Sequence, residues 1–284
     1  MRSPLVSIVI PAYNAAKYIG ETLESVRAQT FRDYEIIVVD DGSRDNSIGA
    51  AARFGGVICT RQSNRGAAAA RNIGIHLARG KYVAFLDADD LWLPRKLEKQ
   101  MAYCEANPGT QWIYSDALVF DSYTDRVVCR IGNRVQLHQG DVLHPLLLRS
   151  FIPSATPVVK RDVLYETGLF NESPDRRMAE DWCLWLRLAR RHPLALIDEP
   201  LARIRLHGEN SSRMASPATL YRNRHGLLAD TIASNPRIPA SIARRALSGV
   251  SLSAGMRHLR RREFGGASRM FLEAMKLRYH AGSI

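Results

Sequence analysis

Residues 82–90 read YVAFLDADD, and this stretch decides the fold. Five apolar or aromatic residues follow one another without alternation, and three carboxylates then arrive within four positions. An unbroken apolar run of that length fits a strand buried on both faces, the kind found in parallel sheets covered by helices. Two earlier runs repeat the pattern, VSIVIP at 6–11 and YEIIVVD at 34–40. Helical spacing fills the intervals, at Lys17 to Ala28, Asp45 to Phe54 and Ala67 to Ala78, and Gly56 to Thr60 reads as a short strand. Strands alternating with helices predict an α/β fold with a single doubly wound, mostly parallel sheet.

After about residue 105 the pattern changes. Trp112 to Phe120 and Arg126 to Ile131 alternate as antiparallel strands do, and Gln139 to Arg149 reads as a helix. Glu180 to Arg191 is a helix with apolar faces at Trp182, Leu184, Trp185, Leu186 and Leu188, stopped by Pro193. From Tyr221 onward the chain is helical in pieces, with breaks expected near Asn235 to Pro239 and at Gly265 and Gly266. The expected division is therefore 1–105, then 106–215 within the same domain, then a helical C-terminal extension over 216–284.

The chain of 284 residues is 46% hydrophobic and 24% charged, an ordinary balance for a folded globular protein. Cys59, Cys104, Cys129 and Cys183 are too widely spaced for a zinc or redox pair and are expected to be reduced. Neither a signal peptide nor a run of about 20 apolar residues able to span a bilayer is evident, so a cytoplasmic protein is expected. The net charge is +12. From Leu220 to Ile284 there are twelve Arg and Lys against three Asp and Glu, so most of the excess lies in the extension. Few aromatics accompany those cations, which argues against nucleic acid as the partner.

Ligands of open parallel sheets bind beyond the carboxyl ends of the strands, so the residues there carry the functional reading. Pro11 fixes the end of the first strand, and Tyr13 can offer its ring to a planar base or simply pack. Asp40 and Asp41 precede Gly42 and Ser43; Asp41 could bond a base or ribose, or the segment could cap the next helix through Ser43 or Asp45. The carboxylates of Asp87, Asp89 and Asp90 repel by about 4 kcal/mol per close pair at an effective dielectric near 20. A hard divalent cation, Mg²⁺ or Mn²⁺, is the simplest compensation, with phosphate oxygens and water completing its shell. Arg65 and Arg71 place guanidinium groups where an anion would sit. Asp181, in the first turn of its helix, reads either as a partner of the helix dipole or as a general base. His207 reads either as a solvated loop residue or as a ligand for metal or phosphate.

Taken together, VSIVIPAYN, IIVVDDGSRDNS, NRGAAAARNIGI, YVAFLDADDLWLP, EDWCLWLRL and RIRLHGENSS resemble, in order and spacing over about residues 5 to 212, a family 2 glycosyltransferase of the A-type, Rossmann-like fold. The resemblance implies that 1–105 is a nucleotide-sugar-binding half and 106–215 the acceptor-binding and catalytic half. It further implies that Pro11, Tyr13, Asp41 and Arg71, with Asp87, bind the nucleotide, that Asp87 and Asp89 form a metal-binding Asp-x-Asp pair with His207 near the diphosphate, and that Asp181 is the catalytic base. The implied reaction is metal-dependent, inverting transfer from a nucleotide diphosphate sugar, with a UDP-sugar as the default, to a glycan or lipid-linked acceptor. Assembly of surface polysaccharide or glycolipid is a matching role.

Two rivals stand beside this reading. A nucleotidyltransferase would share the acidic metal ligands, but no lysine-bearing Gly-rich phosphate loop is present. A non-catalytic basic module would rest on the extension, where Arg257, Arg260, Arg261 and Arg262 adjoin Met256, Leu259, Phe264, Met270, Phe271 and Leu272. That segment reads either as a solvated helical cap or as peripheral contact with an anionic membrane at its inner face.

Overall fold

The apolar runs become the centre of one sheet. β1 (Val6–Ala12) is buried along its whole length, and it pairs in parallel with β2 (Tyr34–Asp40) on one side and β4 (Tyr82–Phe85) on the other, Val6 facing both Tyr34 and Tyr82. β3 (Val57–Arg61) adds a further parallel strand beside β2. Ile8, Ile10, Val38 and Ala84 of these strands pack with Ile19, Leu23 and Val26 of helix α1 (Ile19–Arg27). Full burial of each such aliphatic chain stabilises the fold by roughly 1.5–3 kcal/mol. The linking helices α2 (Ser47–Ala52) and α3 (Ala67–Leu77) occupy the intervals read as helical from the sequence.

These features come from a computed structural model that describes residues 3–208 and 214–279. The chain forms two units. One comprises Met1–Asp141, Phe151–Glu172 and Arg191–His207; the other comprises Val142–Ser150, Ser173–Arg190 and Gly208–Ile284.

The first unit holds the whole sheet, to which β5 (Leu91–Trp92), β6 (Trp112–Asp121), β7 (Val127–Arg130), β8 (Val158–Lys160) and β9 (Leu194–Leu206) also belong, in the order β3-β2-β1-β4-β8-β6-β9-β5 with β7 beside β6. The strands after residue 105 join the same sheet, and the antiparallel pairing expected of Trp112 to Phe120 and Arg126 to Ile131 is found between β6 and β7. β8 runs against β4 and β6, β5 and β7 are also antiparallel to their partners, and β6 and β9 are parallel. The result is a mixed sheet with a parallel core. Alternation along β6 could not disclose this, since β6 is buried on both faces for most of its length. Helices α4 (Lys96–Ala106) and α6 (Arg161–Thr167) complete the first unit.

The second unit is helical: α5 (Leu143–Leu148), α7 (Glu180–Ala189), α8 (Pro217–Ala233), α9 (Ala240–Arg260) and α10 (Phe264–Tyr279). The helix expected over Gln139 to Arg149 is only the six residues of α5. Ser216 caps α8, its Oγ accepting from Thr219 N at 3.0 Å, with Pro217 in the first turn. The break near Asn235 falls where expected, but Gly265 and Gly266 lie inside α10. The chain reverses just before them, where Arg262 adopts a left-handed φ of 60°.

Two packing details give direct tests. α3 lies against β1 so closely that a Cβ on Gly74 would stand 2.3 Å from Cγ1 of Val9. Gly74→Ala should therefore destabilise the chain by about 1–3 kcal/mol, and Val9→Ala in the same chain should recover part of that loss in urea unfolding. The second detail is Glu35. Burial pushes its carboxyl up, yet donation from Ser7 Oγ at 2.6 Å and from Arg79 N at 2.7 Å and Nε at 2.8 Å outweighs burial and holds it below its ordinary 4.5. Its contribution to stability is complete above pH 4.5 and is lost as pH falls through the lower folded value. Glu35→Gln should make the melting temperature less steeply dependent on pH in that acid range than in the parent.

Candidate functional site

The carboxyl ends of β1, β2 and β4 bring the expected residues of the first unit to one edge of the sheet. Pro11 is buried within β1, and Tyr13 beyond it is 48% exposed, available to a ligand. Asn14 adopts a left-handed φ of 50°. Its backbone N–H donates to Ser43 Oγ at 2.9 Å and its side-chain oxygen accepts from Arg44 N at 2.8 Å, which ties the ends of β1 and β2 together.

Asp41 is buried, and its carboxylate organises the loop before α3. It accepts from Gln62 Nε2 at 2.6 Å and from the backbone of Arg65 and Gly66 at 2.8 Å each. Gly42, at φ 76°, lets this loop approach: a Cβ there would lie 2.8 Å from Asn64 N. Asp40, the other acid of the pair, is fully buried, lies within 3.4 Å of Ser43 N and pairs with Arg61 Nε at 3.1 Å. Arg65, read as a candidate anion contact, pairs with Glu172 at 2.6 Å.

Beyond β4 the acidic turn is held from several sides. Arg71 of α3 is buried; its Nη2 donates to Asp87 Oδ1 at 2.6 Å while its guanidinium lies 5.3 Å from the ring centre of Phe170. Ser154 Oγ donates to the other Asp87 oxygen at 2.9 Å. Nε2 of His207 stands 2.8 Å from Asp89 Oδ2, and the imidazole packs 4.7 Å from the ring of Tyr18. Asp90 is buried and accepts from Arg205 N at 2.8 Å. Arg205 also donates through Nε to Asp89 O at 2.7 Å and through Nη2 to Glu21 at 2.7 Å. From α1, the Thr22 hydroxyl lies 2.9 Å from Ala88 O and 3.0 Å from Asp90 O.

This crowding is visible in the protonation of the acids. Burial, then the charge of Asp87, pushes the Asp89 carboxyl up, against the pull of His207. Burial, then the charges of Asp89 and Asp87, pushes Asp90 well up.

Asp87, Asp89 and His207, expected together as metal ligands, do not assemble a cage by themselves. Asp87 is engaged by Arg71 and Ser154, and among the described residues no three His, Cys, Asp or Glu gather to hold an ion. The donor set still suits Mg²⁺ or Mn²⁺ in the form those ions usually take in nucleotide sites, one or two carboxylates completed by phosphate oxygens and water.

Asp181 belongs to the second unit. It sits in the first turn of α7, where its Oδ1 accepts from Trp182 N at 2.7 Å. Trp182 donates its indole N–H to Leu146 O at 2.8 Å, anchoring that turn. Nearby charge from Asp181 partly offsets the downward push of burial on Arg224 of α8. Residues 209–212, which close the RIRLHGENSS motif and include Glu209 and Asn210, lie outside the described residues.

Thr22, Ser154, Phe170 and Arg205 were not singled out from the sequence. Arg205 had a signal: it precedes His207 by two positions on a strand-like run, a spacing that puts both on one face. Thr22 had none, because a threonine inside an amphipathic helix announces no distant partner.

With this geometry in place, comparison with known proteins gives a consistent result. The family described as Glycosyl transferase family 2 matches residues 7–139. The chain is 33% identical over 216 residues to an uncharacterized glycosyltransferase of Rickettsia prowazekii, covering 75% of this chain and 67% of that one. A Bacillus subtilis glycosyltransferase named for teichuronic acid biosynthesis is 32% identical over 213 residues, covering 72% and 79%. Some relatives are longer, and the chain spans about a third of those, 34% of a Rickettsia felis glycosyltransferase for example. Among solved structures, S. aureus TarS 1–349 in complex with UDP-GlcNAc matches with a TM-score of 0.65 at 16% identity over 97% of this chain and 93% of that one. A mannosyltransferase from Pyrobaculum calidifontis in complex with GDP-Man and Mn²⁺ matches with a TM-score of 0.64 at 18% identity, over 100% and 77%. The sequence matches show the family: the chain belongs to glycosyl transferase family 2.

Proposed function

We propose that the protein transfers a sugar from a nucleotide diphosphate donor, a UDP-sugar, to a hydroxyl of a glycan or lipid-linked acceptor, in the cytoplasm, with inversion at the anomeric carbon. The observation that carries this reading is the acidic turn at the end of β4, with Asp89 beside His207 and Asp87 beside Arg71. The UDP-GlcNAc complex of TarS and the GDP-Man and Mn²⁺ complex of the mannosyltransferase support a donor of this class on this fold. The name of the B. subtilis relative supports a role in surface polysaccharide assembly.

In this reading Pro11 and Tyr13 line the nucleoside side of the donor, and Asp41 acts by holding the Gln62 to Gly66 loop in place. Arg71 orients Asp87 toward the nucleotide. Asp89, with His207 next to it, is the carboxylate that would hold a divalent cation together with the diphosphate. When bound, the ion supplies Lewis-acid stabilisation of the departing nucleoside diphosphate. Asp181 removes the proton of the acceptor hydroxyl as its oxygen bonds to the anomeric carbon, and the bond from that carbon to the diphosphate oxygen breaks. One displacement inverts the configuration, and no covalent sugar–enzyme intermediate is required.

The test separates binding from chemistry. With a panel of nucleotide diphosphate sugars and Mn²⁺ or Mg²⁺, the wild-type chain should be thermally stabilised by one donor and should release nucleoside diphosphate. Asp181→Asn should keep the donor-induced stabilisation and lose turnover by about 10²–10⁴-fold. Asp89→Ala should lose the metal-dependent part of the stabilisation. Release of pyrophosphate, or full turnover in Asp181→Asn, would sink the reading.

A further inference from the structure

Helices α9 and α10 of the second unit form an antiparallel hairpin with its own seam. Ser248 Oγ donates to Ala274 O at 3.0 Å, a Cβ on Gly255 would lie 2.5 Å from the Phe271 ring, and one on Gly266 would lie 2.6 Å from the His258 ring. The seam and the neighbouring helices use Ala243, Ala246, Leu247, Val250, Ala254, Ala267 and Ala274, all buried. Other large apolar residues lie away from it. Leu252, Met256 and Leu259 of α9 and Phe264, Leu272 and Met275 of α10 are between 40% and 65% exposed.

Their spacing is not scattered. Leu252, Met256 and Leu259 stand at i, i+4 and i+7, one stripe on a helix, and Leu272 and Met275 stand at i and i+3. At 100° per residue both stripes are rotated in the same sense from the seam, so in an antiparallel pair they come to the same side. Cations border this face: Arg260, Arg262, Arg269 and Lys276 are exposed. From Ala240 to Tyr279 there are nine Arg and Lys against Glu263 and Glu273, and Glu273 is already bound to the Tyr221 hydroxyl at 2.7 Å.

We infer that this face of the α9–α10 hairpin is a membrane-docking surface that rests on a bilayer rich in anionic glycerophospholipid, with Met256, Leu259, Phe264 and Leu272 entering the interface and the flanking arginines meeting the headgroups. Apolar chains ringed by cations match both layers of such a surface, the acyl boundary and the phosphate plane. A second copy of the chain fits poorly, since identical faces would oppose equal positive charge. Nucleic acid fits poorly because leucine and methionine, not stacking aromatics, occupy the centre. Among the described residues no helix is long and apolar enough to cross a membrane, so the contact is peripheral. The inference does not rest on the proposed reaction, and donor turnover in solution should be unaffected by its failure.

Co-sedimentation of the full chain with vesicles tests it. Vesicles of phosphatidylcholine containing about 40 mol% phosphatidylglycerol should bind the wild type at least about tenfold more strongly than phosphatidylcholine alone, and high salt should weaken that binding. Met256→Glu with Leu272→Glu, and separately Arg260→Glu with Arg269→Glu, should each reduce binding at least about tenfold with the melting midpoint unchanged. Equal binding to both kinds of vesicle would overturn the inference without recourse to any variant. So would unchanged binding of the apolar pair, or vesicle-free dimerisation in sedimentation equilibrium that the same pair abolishes.

Discussion

Three carboxylates within four residues repel one another, and the turn that carries Asp87, Asp89 and Asp90 exists only because its surroundings answer that repulsion. Arg71 reaches Asp87 from α3, Thr22 donates into the turn from α1, and Arg205 and His207 bind it from the end of β9. The contacts of Arg205 and His207 join residues more than a hundred positions apart, so the turn is a product of the whole sheet. The parallel strands set the floor of the site, and β9, which enters beside β6, delivers the cation and the imidazole that a local segment could not supply. Burial first, and then the charge of the neighbouring acids, still pushes the Asp89 and Asp90 carboxyls up.

Much of this could be read from the sequence, because the signals are local. The runs at 6–11, 34–40 and 82–86 carry their burial in composition, and the acids that follow them fall where parallel sheets bind ligands. Asp41 shows the limit of such reading. Its position was legible, but its carboxylate turns to Gln62, Arg65 and Gly66, a task that depends on how a glycine at positive φ folds the next loop.

The partners of the later strands were not legible for the same reason. The alternation of Trp112 to Phe120 and Arg126 to Ile131 did announce the antiparallel pairing of β6 with β7, but nothing in it announces that β6 also pairs antiparallel with β8 and parallel with β9, since pairing direction is decided by the path of the intervening chain. Lys96 is the sharpest case. In the sequence it is one charged residue among many, but it is fully buried, its Nζ donating to Gln100 Oε1 at 2.7 Å and lying 4.1 Å from the Trp92 ring centre, and burial pushes its amine well down. Only the packing of α4 under the sheet makes that placement.

The central claim is that the acidic turn holds a divalent ion jointly with a nucleoside diphosphate and not by itself. Mn²⁺ binding followed by electron paramagnetic resonance, with and without UDP, tests this most directly. The account predicts weak binding of Mn²⁺ alone, because no three-ligand cage is present among the described residues. It predicts an increase of at least about tenfold when UDP supplies the remaining oxygens, with that increase absent in Asp89→Ala. Equally tight Mn²⁺ binding without the nucleotide, or none in its presence, would contradict it.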